Sequence, residues 1–384
     1  MTHFSSLWLR RTRGWVAAGL VGVIAVAACS HDGGGGSDVP TPTPPTAAPT
    51  PYALALPSNF PAGPLLPADN PLTVEGVDLG RHLFYEKTLS VDNSISCASC
   101  HRQALAFTDG LAHAVGVNGA RHPRSAMSLS NLLWDPLLTW DGSDKGLEAQ
   151  ARTPLTNAVE MHQTLAASVA KLQAQPAYVA RFAKAFGPGA PTEDNMLKAL
   201  AQFVRTLVSG NSRYDRYRRG DRSVLSADEV RGLQLFITHP TGTALGRGGN
   251  CADCHAGDLQ TNHDFVNNGL DRTFTDLGRA VPTGLPSDQG KFRIPSLRNI
   301  ALTGPYMHDG RFATLEDVLA HYNEHIEYGS PNLDANILNG TNSPLGIGQP
   351  LGLTDTEKKQ IVLFLKTLTD STFIQDPRFS QPTD

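Results

Sequence analysis

The sequence has 384 residues and a formal net charge of −4, with 32 lysines and arginines against 36 aspartates and glutamates. This near balance, with no basic stripe along the chain, argues against a nucleic acid as partner. The part from about Tyr52 onward is long enough for two domains. The five cysteines are more informative, because one stands alone near the N terminus and the other four form two close pairs.

The N terminus has the pattern of an export signal. Three arginines between positions 10 and 13 precede an uncharged, mostly apolar run over 15–28, which is too short to span a bilayer as a permanent helix. The run ends in Val26-Ala27-Ala28-Cys29, which resembles the cleavage site of bacterial lipoproteins. We therefore predict a signal peptide over 1–28 and lipidation at Cys29. A plain secretory signal that is cleaved nearby is the alternative.

The next stretch cannot build a hydrophobic core. Residues 33–36 are glycines, and six prolines lie among threonines and alanines between positions 40 and 51. This composition is typical of an extended, solvated tether, which we predict over 29–58. Signal, lipid and tether together predict a periplasmic protein anchored to a membrane. Ser30 stands where an Asp would favour the inner membrane, so the outer membrane is preferred.

Both cysteine pairs have the form C-x-x-C-H. This motif attaches a c-type haem, because two thiols add to the haem vinyl groups and the following histidine binds iron. Disulfides, a zinc ribbon and a redox C-x-x-C are the competing interpretations. A zinc site wants its two pairs much closer in sequence, and no competitor requires a histidine after both pairs. We predict two covalently bound haem c groups, attached at Cys97, Cys100 and His101 and at Cys251, Cys254 and His255.

A short pattern repeats ahead of both motifs. Gly80-Arg81-His82-Leu83-Phe84 precedes the first, and Gly232-Leu233-Gln234-Leu235-Phe236 precedes the second at nearly the same offset. Each copy therefore predicts a helix, a loop and a haem. One domain per haem follows, and we place the two domains at 59–215 and 216–384.

Elsewhere the pattern is helical, with apolar residues at three- and four-residue spacing. Capping boxes at Ser226 and Thr354 mark two helix starts, and no convincing alternating strand run occurs. The predicted fold class is mainly α, with two cytochrome c-like haem domains and long loops, preceded by a lipoprotein signal and a disordered tether. The predicted helices cover 165–186, 193–208, 226–238, 315–325 and 354–368.

Further motifs accompany the haem sites: LGRxLF at 79–84, TWDG at 139–142, the run over 150–161, IPSLRN at 294–299 and GPYMHDG at 304–310. With them, the sequence resembles the bacterial di-haem cytochrome c peroxidases and the MauG group over about 72–380. The resemblance implies a haem-dependent oxidoreductase that acts with hydrogen peroxide. The N-terminal haem would meet peroxide, and the C-terminal haem would transfer electrons.

The resemblance also implies roles around the first haem. Glu160 occupies the position of the family's distal acid, and Gln150, ten residues earlier, that of its polar partner. A desolvated carboxyl has a raised pKa, which suits proton transfer during O–O cleavage. In the peroxidase branch a distal histidine closes this haem, but the matching residue here is Val117, so an open haem is expected. His113 and His122 lie close by as substitute ligands, although solvated loop histidines are the preferred interpretation.

Around the second haem, the resemblance implies Tyr322 as the second iron ligand beside His255. It lies fourteen residues after His308, where the peroxidase branch carries a methionine. A tyrosinate stabilises ferric iron and lowers the potential, whereas methionine raises it. His321 and His325 are neighbours that could compete for iron.

Two further features of the family lie between the haems. Trp140 matches the aromatic residue that conducts electrons between them. The carbonyls of Thr303 and Pro305 align with ligands of an inter-haem calcium ion. Ser125 stands where the family has an Asn ligand, which is a departure from the calcium pattern.

A tyrosine-ligated second haem and an unblocked first haem imply the MauG-like branch. There, hydrogen peroxide brings the di-haem unit to a high-valent state that oxidises a partner protein, at an aromatic side chain such as Trp. The residues 122–124 and 376–380 further resemble the MbnH group, whose members accompany small copper-associated proteins and modify a Trp in them.

Two alternative functions remain open. The first is a cytochrome c peroxidase that reduces hydrogen peroxide with electrons from a small periplasmic cytochrome or cupredoxin. Tyr322 counts against it. The second is a non-enzymatic di-haem electron-transfer cytochrome. Glu160 and Gln150 count against that, because an electron carrier needs no distal acid.

Overall fold

The fold is built mainly from helices, as predicted. The computed structural model describes residues 48–240, 246–337 and 351–383. The α-helices are α1 (Val74–Tyr85), α2 (Cys97–Cys100), α3 (Leu147–Thr156), α4 (Leu165–Gln173), α5 (Pro176–Phe186), α6 (Glu193–Arg205), α7 (Arg213–Arg218), α8 (Ala227–Ile237), α9 (Ala280–Thr283), α10 (Leu315–Glu324) and α11 (Asp355–Lys366).

Short elements connect these helices. Two two-residue strands, β1 (Phe265–Val266) and β2 (Phe292–Arg293), pair antiparallel with Phe265 opposite Arg293. The 3-10 helices are Lys87–Leu89, Gln103–Leu105, Val117–Gly119, Leu132–Trp134, Arg222–Val224, Cys251–Asp253, Pro286–Asp288, Ile300–Leu302 and Phe373–Gln375. Long loops therefore carry much of the chain between the helices.

The predicted capping boxes are confirmed at Ser226 and Thr354, which start α8 and α11. The single helix predicted over 165–186 is wrong, because the chain forms two helices that are separated at Ala174 and Gln175. The cause is Pro176, which has no backbone N–H and occupies the first turn of α5.

In the first core, α1 crosses α6 with their backbones nearly touching. A Cβ atom at Gly80 would overlap the carbonyl oxygen of Ala199. The rings of Phe84 and Phe203 pack beside this crossing, with centroids 5.2 Å apart. Partly buried Cys97 packs against the same core. The helix crossing thus sets the position of the first haem-attachment turn.

The second core repeats this arrangement. A Cβ atom at Gly232 of α8 would overlap the carbonyl oxygen of Gln360 in α11. Phe236 and Phe364 again pack beside the crossing, at 5.2 Å, and partly buried Cys251 packs against this core. The sequence repeat is therefore a structural repeat, in which α8 corresponds to α1 and α11 to α6.

Buried polar contacts connect the segments around the two cores. Asn131 Nδ2 donates to the carbonyl oxygen of Ser209 over 3.0 Å. Asn299 Nδ2 donates to the hydroxyl oxygen of the same residue, also over 3.0 Å. Arg298, fully buried, donates to both carboxylate oxygens of Asp215, at 2.9 and 2.7 Å. Two residues of the 294–299 motif thus act as structural ties.

The end of the chain returns to the first core. Phe373 and Phe379 are buried within it, and Tyr85 Oη donates to the carbonyl of Phe379 over 2.7 Å. Arg81 Nε donates to the carbonyl of Ser380 over 2.7 Å. The division into domains at 59–215 and 216–384 stays a prediction, and the last residues of the second segment pack on the first.

The signal peptide, Cys29 and the tether up to residue 47 lie outside the described residues. Residues 48–58 of the predicted tether are described, and part of this stretch is fixed at the start of α1: Val74 N donates to Thr50 O over 2.8 Å, and Tyr52 N to Leu72 O over 3.0 Å. Within the described part of the chain, none of the helices has the length and apolar character needed to cross a membrane.

We predict that the helix crossings at Gly80 and Gly232 contribute equally to the free energy of unfolding. Gly80→Ala and Gly232→Ala should each lower the free energy of unfolding by at least about 2 kcal/mol, because a methyl group must displace backbone. The measurement is urea unfolding of the holoprotein. Gly63→Ala is the control: it meets nothing within 4 Å, so it carries only the penalty of its φ of +77°, about 1 kcal/mol. If Gly80→Ala and Gly232→Ala lower the free energy of unfolding no more than Gly63→Ala does, the close helix crossing is contradicted.

Candidate functional site

The first haem-attachment turn opens onto a cavity of about 270 Å³, called here the first cavity. Helix α2 ends at Cys100, so His101 follows directly as its C-terminal cap. Several of the predicted site residues line the first cavity together: Cys97, Cys100, His101, Trp140, Gln150 and Glu160. Residues that are far apart in the sequence are thus brought to one space.

Both motif histidines are poised to bind a metal. His101 Nδ1 lies 2.7 Å from the carbonyl of Phe107, and His255 Nδ1 lies 3.3 Å from that of Gln260. Because a carbonyl only accepts, Nδ1 carries the proton and Nε2 keeps its lone pair. Burial lowers the pKa of His101 and brings that of His255 to about 4, which favours the neutral imidazole that an iron ligand requires.

The four motif cysteines form no disulfide with one another, and the two pairs pack against separate cores, which does not fit a single zinc ribbon or the disulfide alternative. Burial raises the pKa of Cys97 and Cys251 to about 12. It raises the pKa of Cys100 and Cys254 to about 11. Neutral thiols in apolar surroundings suit thioether bonds to the edge of an apolar macrocycle.

A buried guanidinium gives a separate test of the fit to haem. Arg293 forms an ion pair with Asp135 and lines the first cavity, yet its Nε has no hydrogen-bond partner among the described residues. A buried N–H that lacks a partner suits an anionic group in the cavity, as a haem propionate would be. The residues present therefore fit a haem.

Glu160 is the acid of the first cavity. Burial raises its pKa above the ordinary value of 4.5, while the nearby His122 and a hydrogen bond from Asn157 act in the opposite direction. Asn157 Nδ2 donates to Glu160 Oε1 over 2.7 Å. Gln150, on α3, lines the same cavity. A carboxyl with a raised pKa is better suited to accept and return a proton.

The three residues considered as closing ligands lie in different places. Val117 is 2% exposed, and its N–H donates to the carbonyl of Glu160 over 2.9 Å. His113 lines a separate outer cleft, and not the first cavity. His122 lines the first cavity, with Nε2 directed to Glu160 at 3.6 Å. The contact between His122 and Glu160 is a feature that the sequence did not reveal.

Trp140 lies between the first cavity and a smaller middle cavity of about 80 Å³, and lines both. Its Nε1 donates to the carbonyl of Ser125 over 2.9 Å, and its own carbonyl accepts from Arg293 N over 2.8 Å. The residue is therefore held at its ring nitrogen and at its backbone. The role of Trp140 in electron transfer between the haems stays a prediction.

The residues proposed for calcium, Ser125, Thr303 and Pro305, all line the middle cavity. Ser125 Oγ donates to the carbonyl of Met307 over 3.0 Å, and Thr303 Oγ1 to that of Ile300 over 3.3 Å. Across the described residues, no group of three or more His, Cys, Asp or Glu side chains could hold a metal ion. Calcium stays a prediction.

Tyr322, on α10, packs in the second core together with Cys251. Asn268 Nδ2 donates to the Tyr322 hydroxyl oxygen over 3.0 Å. Burial raises the pKa of Tyr322 to about 12, and this amide acts against the rise by stabilising the phenolate. A donor aimed at the oxygen is what a tyrosinate ligand needs.

The neighbouring residues that could compete with Tyr322 for iron make contacts elsewhere. His321 Nε2 lies 3.1 Å from the carbonyl of Asn268, and His325 Nδ1 lies 3.0 Å from that of Ala320. Met307 Sδ lies 3.5 Å from Asn268 Nδ2. The sequence did not point to Asn268, Arg293 or Asn157. Asn268 and Arg293 contact residues that are distant in sequence, and Asn157 lies in an irregular segment. No periodic pattern marks any of the three.

Comparison with known proteins agrees with this geometry. Residues 74–223 match the family model described as di-haem cytochrome c peroxidase. The methylamine utilization protein MauG of Methylorubrum extorquens is 39% identical over 307 residues, which cover 79% of this chain and 80% of the relative. The cytochrome-c peroxidase IdrP1 of Denitromonas iodatirespirans is 34% identical over 356 residues, covering 83% and 89%.

Solved structures share the fold. A crystal structure described as a MauG-like protein associated with microbial copper homeostasis has a TM-score of 0.75 and 37% identity, covering 86% of this chain and 99% of that one. The di-haem peroxidase BthA of Burkholderia thailandensis has a TM-score of 0.66 at 24% identity, covering 88% and 95%, and shows the fold alone.

Membership of this family implies two haem c groups and an oxidoreductase activity with hydrogen peroxide, which fits the two C-x-x-C-H turns and the acid in the first cavity. Since a relative 39% identical matches about four fifths of both chains, the chain belongs to the di-haem cytochrome c peroxidase and MauG superfamily.

Proposed function

We propose that this protein is a MauG-like enzyme: it uses hydrogen peroxide to withdraw two electrons from a partner protein, at an aromatic side chain such as Trp. The observation that carries this proposal is the environment of Tyr322. The tyrosine is partly buried against the same core as the second C-x-x-C-H turn, and its hydroxyl oxygen accepts a hydrogen bond from Asn268. A tyrosinate ligand held in this way would favour oxidised states of the second centre, whereas a methionine would favour reduction.

The first cavity supports the same proposal. Val117 offers no ligand where the peroxidase branch has a closing histidine, so peroxide could enter without prior reduction of the protein. Bound haem would supply an iron atom that binds peroxide and exchanges electrons with it. His101 would hold the first iron, and His255 and Tyr322 would hold the second.

Proton movement falls to Glu160. Its carboxylate takes the proton from one peroxide oxygen and returns it to the other, which leaves as water. Asn157 fixes the carboxyl through its 2.7 Å hydrogen bond, and Gln150 offers a polar group on the same cavity wall. Burial raises the pKa of Glu160, which favours uptake of the proton before its return.

The partner and location are part of the proposal. The MauG-like structure named above is associated with copper homeostasis, which supports placing this chain in the MbnH group, with a tryptophan of a small copper-associated protein as target. The enzyme would act in the periplasm, anchored by lipid at Cys29 to the outer membrane. A calcium ion at Ser125, Thr303 and Pro305 belongs to the same proposal.

A cytochrome c peroxidase is the second candidate, because relatives named as such match the chain as broadly as the MauG relatives do. It would draw its electrons from a small cytochrome or cupredoxin. A non-enzymatic electron carrier is the third candidate, and Glu160 in the first cavity speaks against it.

One experiment separates the three candidates. Equimolar hydrogen peroxide is added to the resting diferric protein, and ferric EPR signals and the visible to near-infrared spectrum are followed. We expect both ferric signals to fall together and a long-lived oxidised state to form without prior reduction. A response only after reduction of one haem would favour the peroxidase, and no response in either state would favour the electron carrier.

We predict that Glu160→Gln slows the reaction with peroxide by about 10²- to 10⁴-fold, because the proton acceptor is lost. In the wild type the rate should fall with falling pH through a midpoint above 4.5, since the charged form accepts the proton and burial raises its pKa. Stopped-flow absorbance measures both. Glu193→Gln, in the first turn of α6 and outside the first-cavity lining, is the matched control. A wild-type rate in Glu160→Gln would remove Glu160 from the reaction.

We also predict that Tyr322→Met raises the reduction potential of the second haem, on the order of 0.2 V within the ~0.8 V range that axial ligands span. Asn268→Leu should raise it by a smaller amount, because the phenolate loses its hydrogen-bond donor. Spectroelectrochemical titration gives both values. Tyr328→Phe, at a tyrosine that does not pack in the second core, is the control. An unchanged potential in Tyr322→Met would contradict the assignment of Tyr322 as ligand.

A further inference from the structure

An open recess lies on the other side of His122 from the first cavity. This outer cleft has a volume of about 780 Å³, and its lining includes Phe292 and His308, whose stacked rings are 3.6 Å apart. His122 and Arg124 line both the outer cleft and the first cavity. These two residues therefore form a wall between solvent in the cleft and the predicted peroxide site.

His122 faces Glu160 from this wall. Its Nε2 lies 3.6 Å from Glu160 Oε1, and the two side chains are 26% and 27% exposed. The loop that carries His122 is fixed by its backbone, since His122 N donates to Ala114 O and Val117 N donates to Glu160 O, both over 2.9 Å. Backbone hydrogen bonds thus set the distance between the imidazole and the carboxyl.

The other ring nitrogen can be satisfied with or without a proton. His122 Nδ1 lies 3.1 Å from both the backbone N–H and the carbonyl oxygen of Arg124. When Nδ1 is bare it accepts from the N–H, and when it is protonated it donates to the carbonyl. The imidazole therefore keeps a hydrogen bond as it gains or loses a proton, which is the property that a proton relay requires.

The other charged side chains near His122 and Glu160 form ion pairs or hydrogen bonds with other residues. Arg124 forms ion pairs with Asp141 and Asp276, at 2.7 Å each. Asp144, whose charge reaches Glu160, accepts a hydrogen bond from Thr153 over 2.9 Å. The thiols of the first motif become uncharged thioethers on haem attachment. The ionisable residues that line the outer cleft besides His122 and Arg124 are His113, Asp271, Asp276, His308, Asp309 and Arg311.

We propose that His122 is a positioning residue that acts through Glu160: it orients the carboxyl and exchanges protons between it and the outer cleft. This inference rests on the proposed function of Glu160. Reduction of one hydrogen peroxide to two waters consumes two electrons, which come from the partner side chain, and two protons. The first water forms by a proton shift within peroxide through Glu160. The two protons of the second water pass from the outer cleft to His122 and then to Glu160.

The kinetic test uses the holoprotein and stopped-flow mixing with peroxide. His122→Ala should slow the reaction by about 10- to 100-fold, the lower part of the range for positioned proton transfer. His122→Gln, which keeps a hydrogen bond but transfers no proton, should recover only part of the rate. His113→Gln, in the outer cleft but not in the first cavity, is the matched control and should react as the wild type does.

A double variant distinguishes a relay from a packing effect. If His122 acts through Glu160, then adding His122→Ala to Glu160→Gln should cause little further loss, because residues that act as a unit are not additive. Independent packing roles would give losses that multiply.

An infrared titration of the resting protein gives a readout without turnover. The carboxyl band of Glu160, identified by its absence in Glu160→Gln, should titrate at higher pH in His122→Gln than in the wild type. The reason is that the charge of His122 lowers the pKa of Glu160.

The outcomes separate the two proposals. A wild-type rate in Glu160→Gln would overturn the role of Glu160, and the relay with it. A slow Glu160→Gln together with a wild-type rate in His122→Ala would overturn the relay alone. Multiplying losses in the double variant, or an unchanged carboxyl titration in His122→Gln, would also overturn it.

Discussion

The close crossing of two helices at a glycine is the constraint on which both haem sites depend. At Gly80 and again at Gly232, one helix lies against the carbonyl of its partner with no room for a methyl group. The phenylalanines beside each crossing, and the cysteine that packs nearby, take their positions from this contact. Because the same constraint acts twice, one chain builds two similar haem-attachment turns on separate cores.

The two halves then differ in what they place around their turns. The first half presents a partly buried acid whose pKa is raised, in a cavity where Val117 offers no ligand. The second half presents a partly buried tyrosine whose hydroxyl oxygen accepts a hydrogen bond from Asn268. Trp140 lies between the first cavity and the middle cavity, with both ends of the residue hydrogen-bonded. One half is thus suited to react with peroxide, and the other to hold oxidising equivalents.

Much of this could be predicted from the sequence, because covalent haem attachment and helix capping depend on short patterns. The C-x-x-C-H turns, the repeat around Gly80 and Gly232, and the capping boxes are local and were readable. The break before Pro176 was also local, but the apolar spacing on either side concealed it. By contrast, the contacts of Glu160 with His122 and of Tyr322 with Asn268 join loops to helices or other loops across 38 and 54 residues. No periodicity in the sequence marks such contacts, so only the three-dimensional structure reveals them.

The central claim is that Tyr322 binds the second haem iron as a tyrosinate. Resonance Raman spectra of the resting ferric protein, excited in the phenolate-to-iron charge-transfer region, test it most directly. The account predicts tyrosinate ring vibrations that shift when tyrosine is ring-deuterated and disappear in Tyr322→Phe. A spectrum without these vibrations, or one that persists in Tyr322→Phe, would contradict the account and return the chain to the peroxidase branch.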